Sequence, residues 1–245
     1  MLLSLEIVKL VIFLAALAYS ADKLVGTSCR LARALGISAG VIGLTLVAYG
    51  TSLPEFAVSA VSSLEAHSEL SVANIIGTNM FNICVIGIVA ILAGGMAIKD
   101  QLLARRDNIV LFLSTALIAV LFFFGGITRF FGAAMITLIL AYTVYTIRHD
   151  RKNNSVSRDE NISWKVELAK SMFFMFAVVL SAKYLVASAT NIATIFGISE
   201  WIIGATIVAF GTSMPEATIA VIAALKKETG LSIGTMVGSV TFNIL

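Results

Sequence analysis

The chain has 245 residues, of which 59% are hydrophobic and 13% charged, with a formal net charge of +3 and a mean hydropathy of +0.98. Soluble domains average about 45–50% apolar and about 25% charged residues, so this composition excludes an ordinary globular protein. Its charges gather in short patches instead of recurring along helix faces, which also argues against a soluble all-helical protein with a large core.

Eight apolar segments follow in order, about residues 5–28, 38–64, 70–96, 107–124, 128–147, 166–195, 199–225 and one beginning near 231. Runs of about 20 apolar residues match the thickness of a bilayer. Backbone groups left unpaired in lipid are costly, so the segments are expected to be helices, making an all-α membrane protein. No cleavable signal peptide is evident, because the first apolar run continues into Lys23 without a small-residue cleavage pattern. The longest polar stretch, RHDRKNNSVSRDENISWK at 148–165, reads as a mobile cytoplasmic loop. It separates a first part, 1–147, from a second, 166–245.

Positive charges set the orientation. Arg30 and Arg33, then Lys99, Arg105 and Arg106, then Arg148, Arg151, Lys152, Arg158 and Lys165, and finally Lys226 and Lys227 all fall in alternate connections. The positive-inside rule makes those connections cytoplasmic and puts the N-terminus outside a multi-pass cell-membrane protein. Cys29 and Cys84 lack a metal-like spacing, and His67 and His149 fall in predicted loops, so neither residue type forms a metal or nucleophile site.

The second part repeats the first at a constant offset of 161 residues. SADKLV (20–25) matches SAKYLV (181–186), and GIS (36–38) matches GIS (197–199). GLTLVAYGTSLPE (43–55) matches GATIVAFGTSMPE (204–216), and LSVANIIGTNMFNI (70–83) matches LSIGTMVGSVTFNI (231–244). No gap is needed, so this is an internal duplication. A unit of five spans is odd, so the second copy enters the membrane from the opposite side. Inverted repeats with interrupted helices are a recurring plan of secondary transporters, with the ion site near the midplane. Two such units need ten spans, and this chain ends at Leu245, early in the eighth.

The two prolines of the chain, Pro54 and Pro215, are each followed by a glutamate, Glu55 and Glu216. Proline lacks an N–H and clashes with the preceding turn, so the helix is expected to kink or unwind around Gly50–Ser52. The freed carbonyls, the hydroxyls of Thr51 and Ser52 and the carboxylate form an all-oxygen inventory, which suits Ca²⁺, Mg²⁺, Mn²⁺ or Na⁺. A proline-kinked packing helix with back-bonded hydroxyls is the plain alternative. Glu55 tips the balance, because an acidic side chain at a helix centre costs about 2.5–3.5 kcal/mol on insertion scales. In the second motif, Asn82/Asn243, Gly77/Gly238 and Thr78/Ser239 recur in both copies, whereas Asn74 and Asn79 meet Thr235 and Val240. For Asn74 and Asn79, close helix packing and ion contact stay equally open. Thr78 and Asn82, and likewise Ser239 and Asn243, share a helix face four residues apart.

Both GTS-x-PE blocks and both G-[ST]-x-x-FN blocks, in this order, resemble the two alpha repeats of the sodium/calcium exchanger family, in its minimal prokaryotic type. The resemblance implies a 5+5 inverted-repeat helix bundle with broken helices at the site. It implies a central Ca²⁺ site from the Glu55 and Glu216 carboxylates and the Thr51 and Thr212 carbonyls. Flanking Na⁺ sites would use Ser52, Thr78 and the Ala48 carbonyl on one side, and Ser213, Ser239 and the Ala209 carbonyl on the other. Asn82 and Asn243 would lie at the middle, although some relatives carry an acid in the place of Asn243.

The function expected is secondary antiport of Ca²⁺ against Na⁺ by alternating access. The ions are substrates, the bilayer is the surroundings, and no prosthetic group, nucleic acid or protein partner is expected. Ca²⁺/H⁺ exchange on the same fold is the nearest alternative. A cation channel fits an internal inverted repeat poorly, and an intramembrane serine enzyme lacks a His or Lys beside either GTS.

Overall fold

The computed structural model describes residues 2–64, 68–92, 128–153, 156–198 and 209–244, and those residues are helical with no strand. In chain order the helices are α1 (Leu2–Leu35), α2 (Ala39–Ile42), a π turn (Gly43–Val47), α3 (Ala48–Thr51), α4 (Leu53–Leu64), α5 (Ser68–Leu92), α6 (Arg129–Asn153), α7 (Trp164–Ile195), α8 (Ala209–Thr212), α9 (Met214–Leu225) and α10 (Thr229–Ile244). Three of them, α1, α6 and α7, are long and apolar enough to cross a membrane. The pair Ala39–Thr51 and Leu53–Ala60, bent by 44°, makes a fourth span if taken as one. The expected fourth segment (107–124) and the start of the seventh (199–208) lie outside the described residues.

The two longest helices, α1 and α7, pack along each other in opposite directions. Phe13 near the start of α1 stacks on Tyr184 in the second half of α7 at 4.9 Å, while Arg30 near the end of α1 bonds Glu167 at the start of α7 at 2.8 Å. Leu17, Leu24, Val25 and Leu31 of α1 meet Met175, Val178 and Leu185 of α7, with Ile219 of α9 and Leu231 of α10, in one core. Both helices end alike. Gly36 (φ +65°) and Gly197 (φ +73°) adopt the left-handed conformation, and Ile37 N–H and Ile198 N–H reach back to the Ala32 and Ala193 carbonyls at 3.0 Å. A residue with a Cβ would be strained there, which is why glycine closes each helix.

α10 packs along the broken helix α2–π–α3 and also touches α9 and α5. Glycine permits that approach: a Cβ on Gly43 would stand 2.5 Å from the Leu231 carbonyl oxygen, and one on Gly238 would collide with the Leu44 carbonyl and Ala48. The π turn places this close contact, and Thr45 Oγ1 bonds the Val41 carbonyl within it at 2.6 Å. A π turn is a one-residue bulge in the helical ladder. It leaves hydropathy unchanged, so nothing in the apolar pattern announces it.

Within the polar stretch 148–165, expected as a mobile loop, residues 148–153 and 164–165 are helical. α6 continues through Asn153, carrying Arg151 and Lys152 in its last turn, where the helix dipole favours cations. Asp150 on that turn accepts from Ser38 N–H at 2.7 Å and from Ser38 Oγ at 2.9 Å, at the start of α2. The following segment folds back on α1, with Asp159 N–H donating to the Arg33 carbonyl at 3.1 Å.

A two-carboxylate candidate ion site

Each GTS-x-PE motif builds the same local structure. α3 stops at Thr51 and α8 at Thr212; one serine interrupts the chain, and α4 or α9 then begins. Ser52 (φ −85°, ψ 6°) and Ser213 (φ −89°, ψ 4°) have nearly identical backbones. Pro54 and Pro215 are the second residues of their helices, where a missing N–H loses no intrahelical bond. The break expected around Gly50–Ser52 is therefore present, at Ser52. Glu55 and Glu216 follow in the first turn, where the positive end of the helix dipole favours a carboxylate.

The two motifs interlock. Ser213 precedes α9 as its cap residue, yet its hydroxyl makes no capping bond to its own helix. It donates across to Glu55 Oε1 at 3.2 Å, and reciprocally Ser52 Oγ donates to Glu216 Oε1 at 2.8 Å. Thr212 stands beside Glu55, and Thr51 beside Glu216. Each carboxylate thus meets hydroxyl groups carried by the other half of the chain. Ser52 Oγ also lies 2.8 Å from Ser239 Oγ, which receives Asn82 Nδ2 at 3.0 Å. With the Ser52 proton committed to Glu216, the chain of donors runs from Asn82 through Ser239 and Ser52 to the carboxylate.

Glu55 and Glu216 are 2% and 0% exposed. Glu55 Oε2, Glu216 Oε2 and Asn82 Oδ1 are buried without a hydrogen-bond partner among the described residues. An ionised carboxylate in such surroundings needs a counter-charge, because desolvation costs several kcal/mol per ion. Three acceptor oxygens without donors suit a hard cation, which takes only oxygen ligands. Among the described residues no group of three acidic, histidine or cysteine side chains gathers anywhere, so the charge here is that of two glutamates.

The remaining expected residues fall into two sets. Thr51, Ser52, Thr78, Asn82, Ser213 and Ser239 are buried with the carboxylates. The Thr51 hydroxyl turns back to the Val47 and Ala48 carbonyls at 2.9 and 3.2 Å. Ala48 O also takes the Ser52 N–H at 3.0 Å. Asn243 is only half-buried, and its Nδ2 has no partner among the described residues, unlike Asn82. Ala209 opens α8, two residues before Gly211. A larger open depression, about 710 Å³, runs along Thr137–Lys152 of α6 but includes neither carboxylate.

Two features escape a reading of the GTS and FN motifs alone. Asn74 of α5 donates to the Glu55 carbonyl at 3.3 Å and to Ser59 Oγ at 3.0 Å, which resolves its role as a stitch between α4 and α5. Glu167, 6% exposed, holds both Arg30 at 2.8 Å and Lys170 at 2.7 Å. At the far end of the same helix pair, Glu6 binds Lys9 at 2.8 Å, with Ser188 and Asn191 of α7 beside it. The signal was available, since Glu6-x-x-Lys9 and Glu167-x-x-Lys170 also lie 161 residues apart.

These features are those of a membrane cation transporter. Residues 5–148 and 168–245 match the family described as sodium/calcium exchanger protein, and the chain belongs to that family. It is 35% identical over 94% of its length to the putative antiporter CaxA of Alkalimonas amylolytica, covering 74% of that protein. It is 30% identical to the inner membrane protein YrbG of Escherichia coli over 96% of this chain and 76% of the relative. A solved structure of the sodium/calcium exchanger from Methanococcus jannaschii superposes with a TM-score of 0.84 at 30% identity, covering 99% of this chain and 79% of that one. The chain is of the compact prokaryotic type, and its fold is that of a cation/Ca²⁺ antiporter.

Proposed function

We propose that this chain exchanges Ca²⁺ for Na⁺ across the cell membrane by alternating access, with Glu55 and Glu216 as the shared carboxylates. The observation that carries the reading is the reciprocal pair Ser52–Glu216 and Ser213–Glu55, which leaves one bare carboxylate oxygen from each motif in the buried site. Two carboxylates facing one space need compensation by one divalent cation or by monovalent ions. Competition for the same oxygens makes occupancy exclusive, and an uncompensated site crosses the low-dielectric barrier poorly. Exchange follows from those two facts.

In this reading the Thr51 and Thr212 carbonyls complete the Ca²⁺ site. Ser52, Thr78 and the Ala48 carbonyl, with Ser213, Ser239 and the Ala209 carbonyl, hold Na⁺ on either side, and Asn82 and Asn243 line the middle. The architecture proposed is the inverted 5+5 repeat, eight spans of it within this chain, with the N-terminus outside. The identical backbone at Ser52 and Ser213 and the matching glycine caps of α1 and α7 support it. The Methanococcus jannaschii exchanger is a sodium/calcium exchanger by name, which supports Na⁺ as the counter-ion.

Ca²⁺/H⁺ exchange is the second reading, favoured by the Ser52 and Ser213 donors. Each leaves the far oxygen of its glutamate open to a proton as readily as to a metal. The deciding measurement is ⁴⁵Ca²⁺ uptake into vesicles with Na⁺, K⁺ and H⁺ gradients imposed separately; uptake driven only by a pH gradient would replace Na⁺ coupling. Glu55→Gln and Glu216→Gln each remove one of two site charges and are expected to abolish Na⁺-driven uptake. Near-normal uptake in both variants would sink the site assignment.

A further inference from the structure

α7 packs against both helix breaks. The Met175 side chain fills the space a Cβ on Gly50 would take, and Val186 does the same at Gly211. Eleven residues, about 16 Å of helix, separate these two contacts. Val179, Ala182 and Lys183 lie on the same stripe, at helical spacing from both. Between that stripe and the two helix breaks is a half-enclosed cavity of about 200 Å³, walled by Pro54, Thr212, Pro215, Val179, Lys183 and Val186. Both prolines of the broken helices and a threonine beside Glu55 therefore face this space. Lys183 is its single charged wall residue and makes no ion pair with a carboxylate among the described residues. Its 161-residue counterpart is Asp22, which pairs with Lys226 at 2.7 Å, so the duplication does not explain Lys183.

Neither glutamate lines the cavity, but Thr212 lies both on its wall and beside Glu55, so a cation reaching Glu55 past Thr212 by this route passes the charge of the exposed Lys183 side chain. Coulomb repulsion scales with the charge of the visitor, so a divalent ion is opposed twice as strongly as a monovalent one. The low-dielectric walls of valine and proline concentrate the effect. We propose that Lys183 is a specificity-determining residue that weakens access of Ca²⁺ relative to Na⁺ at the shared carboxylates through this cavity. The proposal rests on the Na⁺/Ca²⁺ reading above and adds a residue to it. Its sense is to keep Ca²⁺ binding loose where the cavity opens, so that Na⁺ can displace it.

The test uses the full chain with Lys183→Gln, Lys183→Glu and Lys183→Arg. Half-saturating Ca²⁺ and Na⁺ are read in vesicle flux, and Ca²⁺ and Na⁺ affinities by calorimetry on the purified proteins. Lys183→Gln is expected to lower half-saturating Ca²⁺ by about threefold to tenfold and half-saturating Na⁺ by about the square root of that factor, with the maximal rate within about twofold. Lys183→Glu should exceed it, and Lys183→Arg should match the parent. Unchanged half-saturation for both ions in the Gln and Glu variants overturns the proposal. So does an equal shift for both ions, or an arginine variant that behaves like glutamine. Calorimetry separates the two failures: a parent that binds Ca²⁺ but shows no Na⁺-driven flux defeats the exchange reading, and the binding ratios still decide the role of Lys183.

Discussion

α5 and α10 carry the same motif, 161 residues apart, in different surroundings. From Leu231 to Thr241, α10 is buried at nearly every position, held between the broken helix α2–π–α3 and α9. Among its described side chains, α5 exposes Ile76, Met80, Ile83 and Ile88 and buries the stripe of Thr78, Asn82, Val85 and Val89. Gly238 is pressed against the Leu44 carbonyl and Ala48, whereas a Cβ on Gly77 would meet nothing within 4 Å. Sequence symmetry therefore specifies which groups face the candidate ion site, while packing decides what else each copy must do. On α10 small residues let backbones approach; on α5 the same pattern leaves an apolar face for the bilayer.

The largest effect should come from adding bulk at the two glycines. Gly238→Val forces apart α10 and α3, and overpacking of this kind costs about 1–3 kcal/mol or more. Its thermal midpoint in detergent is expected to fall by several degrees or its monodisperse yield to collapse, while Gly77→Val stays close to the parent. Equal losses at both positions would erase the contrast. A smaller difference is expected at the paired hydroxyls. Ser239→Ala removes the acceptor of Asn82 and the partner of Ser52, leaving polar groups unpaired at about 1–3 kcal/mol. Ser239→Ala should therefore raise half-saturating Na⁺ by about tenfold or more. Thr78→Val, which breaks no hydrogen bond among the described residues, should shift it less. The smallest effect separates Asn74 from its counterpart. Asn74→Ala loses the stitch to the Glu55 carbonyl and should cost about 1 kcal/mol in a chemical or thermal unfolding measurement. Thr235 bonds only its own helix at the Leu231 carbonyl, so Thr235→Ala should change little.

How far the sequence reached follows from what each residue leaves in it. Pro54 and Pro215 announce their breaks because proline acts through its own covalent structure. Glu55 and Glu216 stand out because charge in an apolar run is costly whatever surrounds it. The partner of each carboxylate is another matter. Ser52 bonds Glu216, not the nearby Glu55, and no spacing within one motif shows that. The extension of α6 through Asn153 carries Asp150 to Ser38, 112 residues away, a contact that local polarity does not show. Asn82 and Asn243 look equivalent in sequence, yet Asn82 reaches across to Ser239 while Asn243 Nδ2 does not bond Thr78, the counterpart of Ser239, because α10 and α5 are not packed alike.

The crossed serine–glutamate bonds also make the site a gauge of separation. Each carboxylate is braced by a hydroxyl on the opposite half, at 2.8 and 3.2 Å, so parting the halves by an ångström would lengthen both bonds beyond useful reach at once. A cation seated on the two bare oxygens would resist that parting, and its departure would release it. In the proposed exchange, occupancy and closure would thus share a single coordinate, and the distance between two serines and two glutamates would report both.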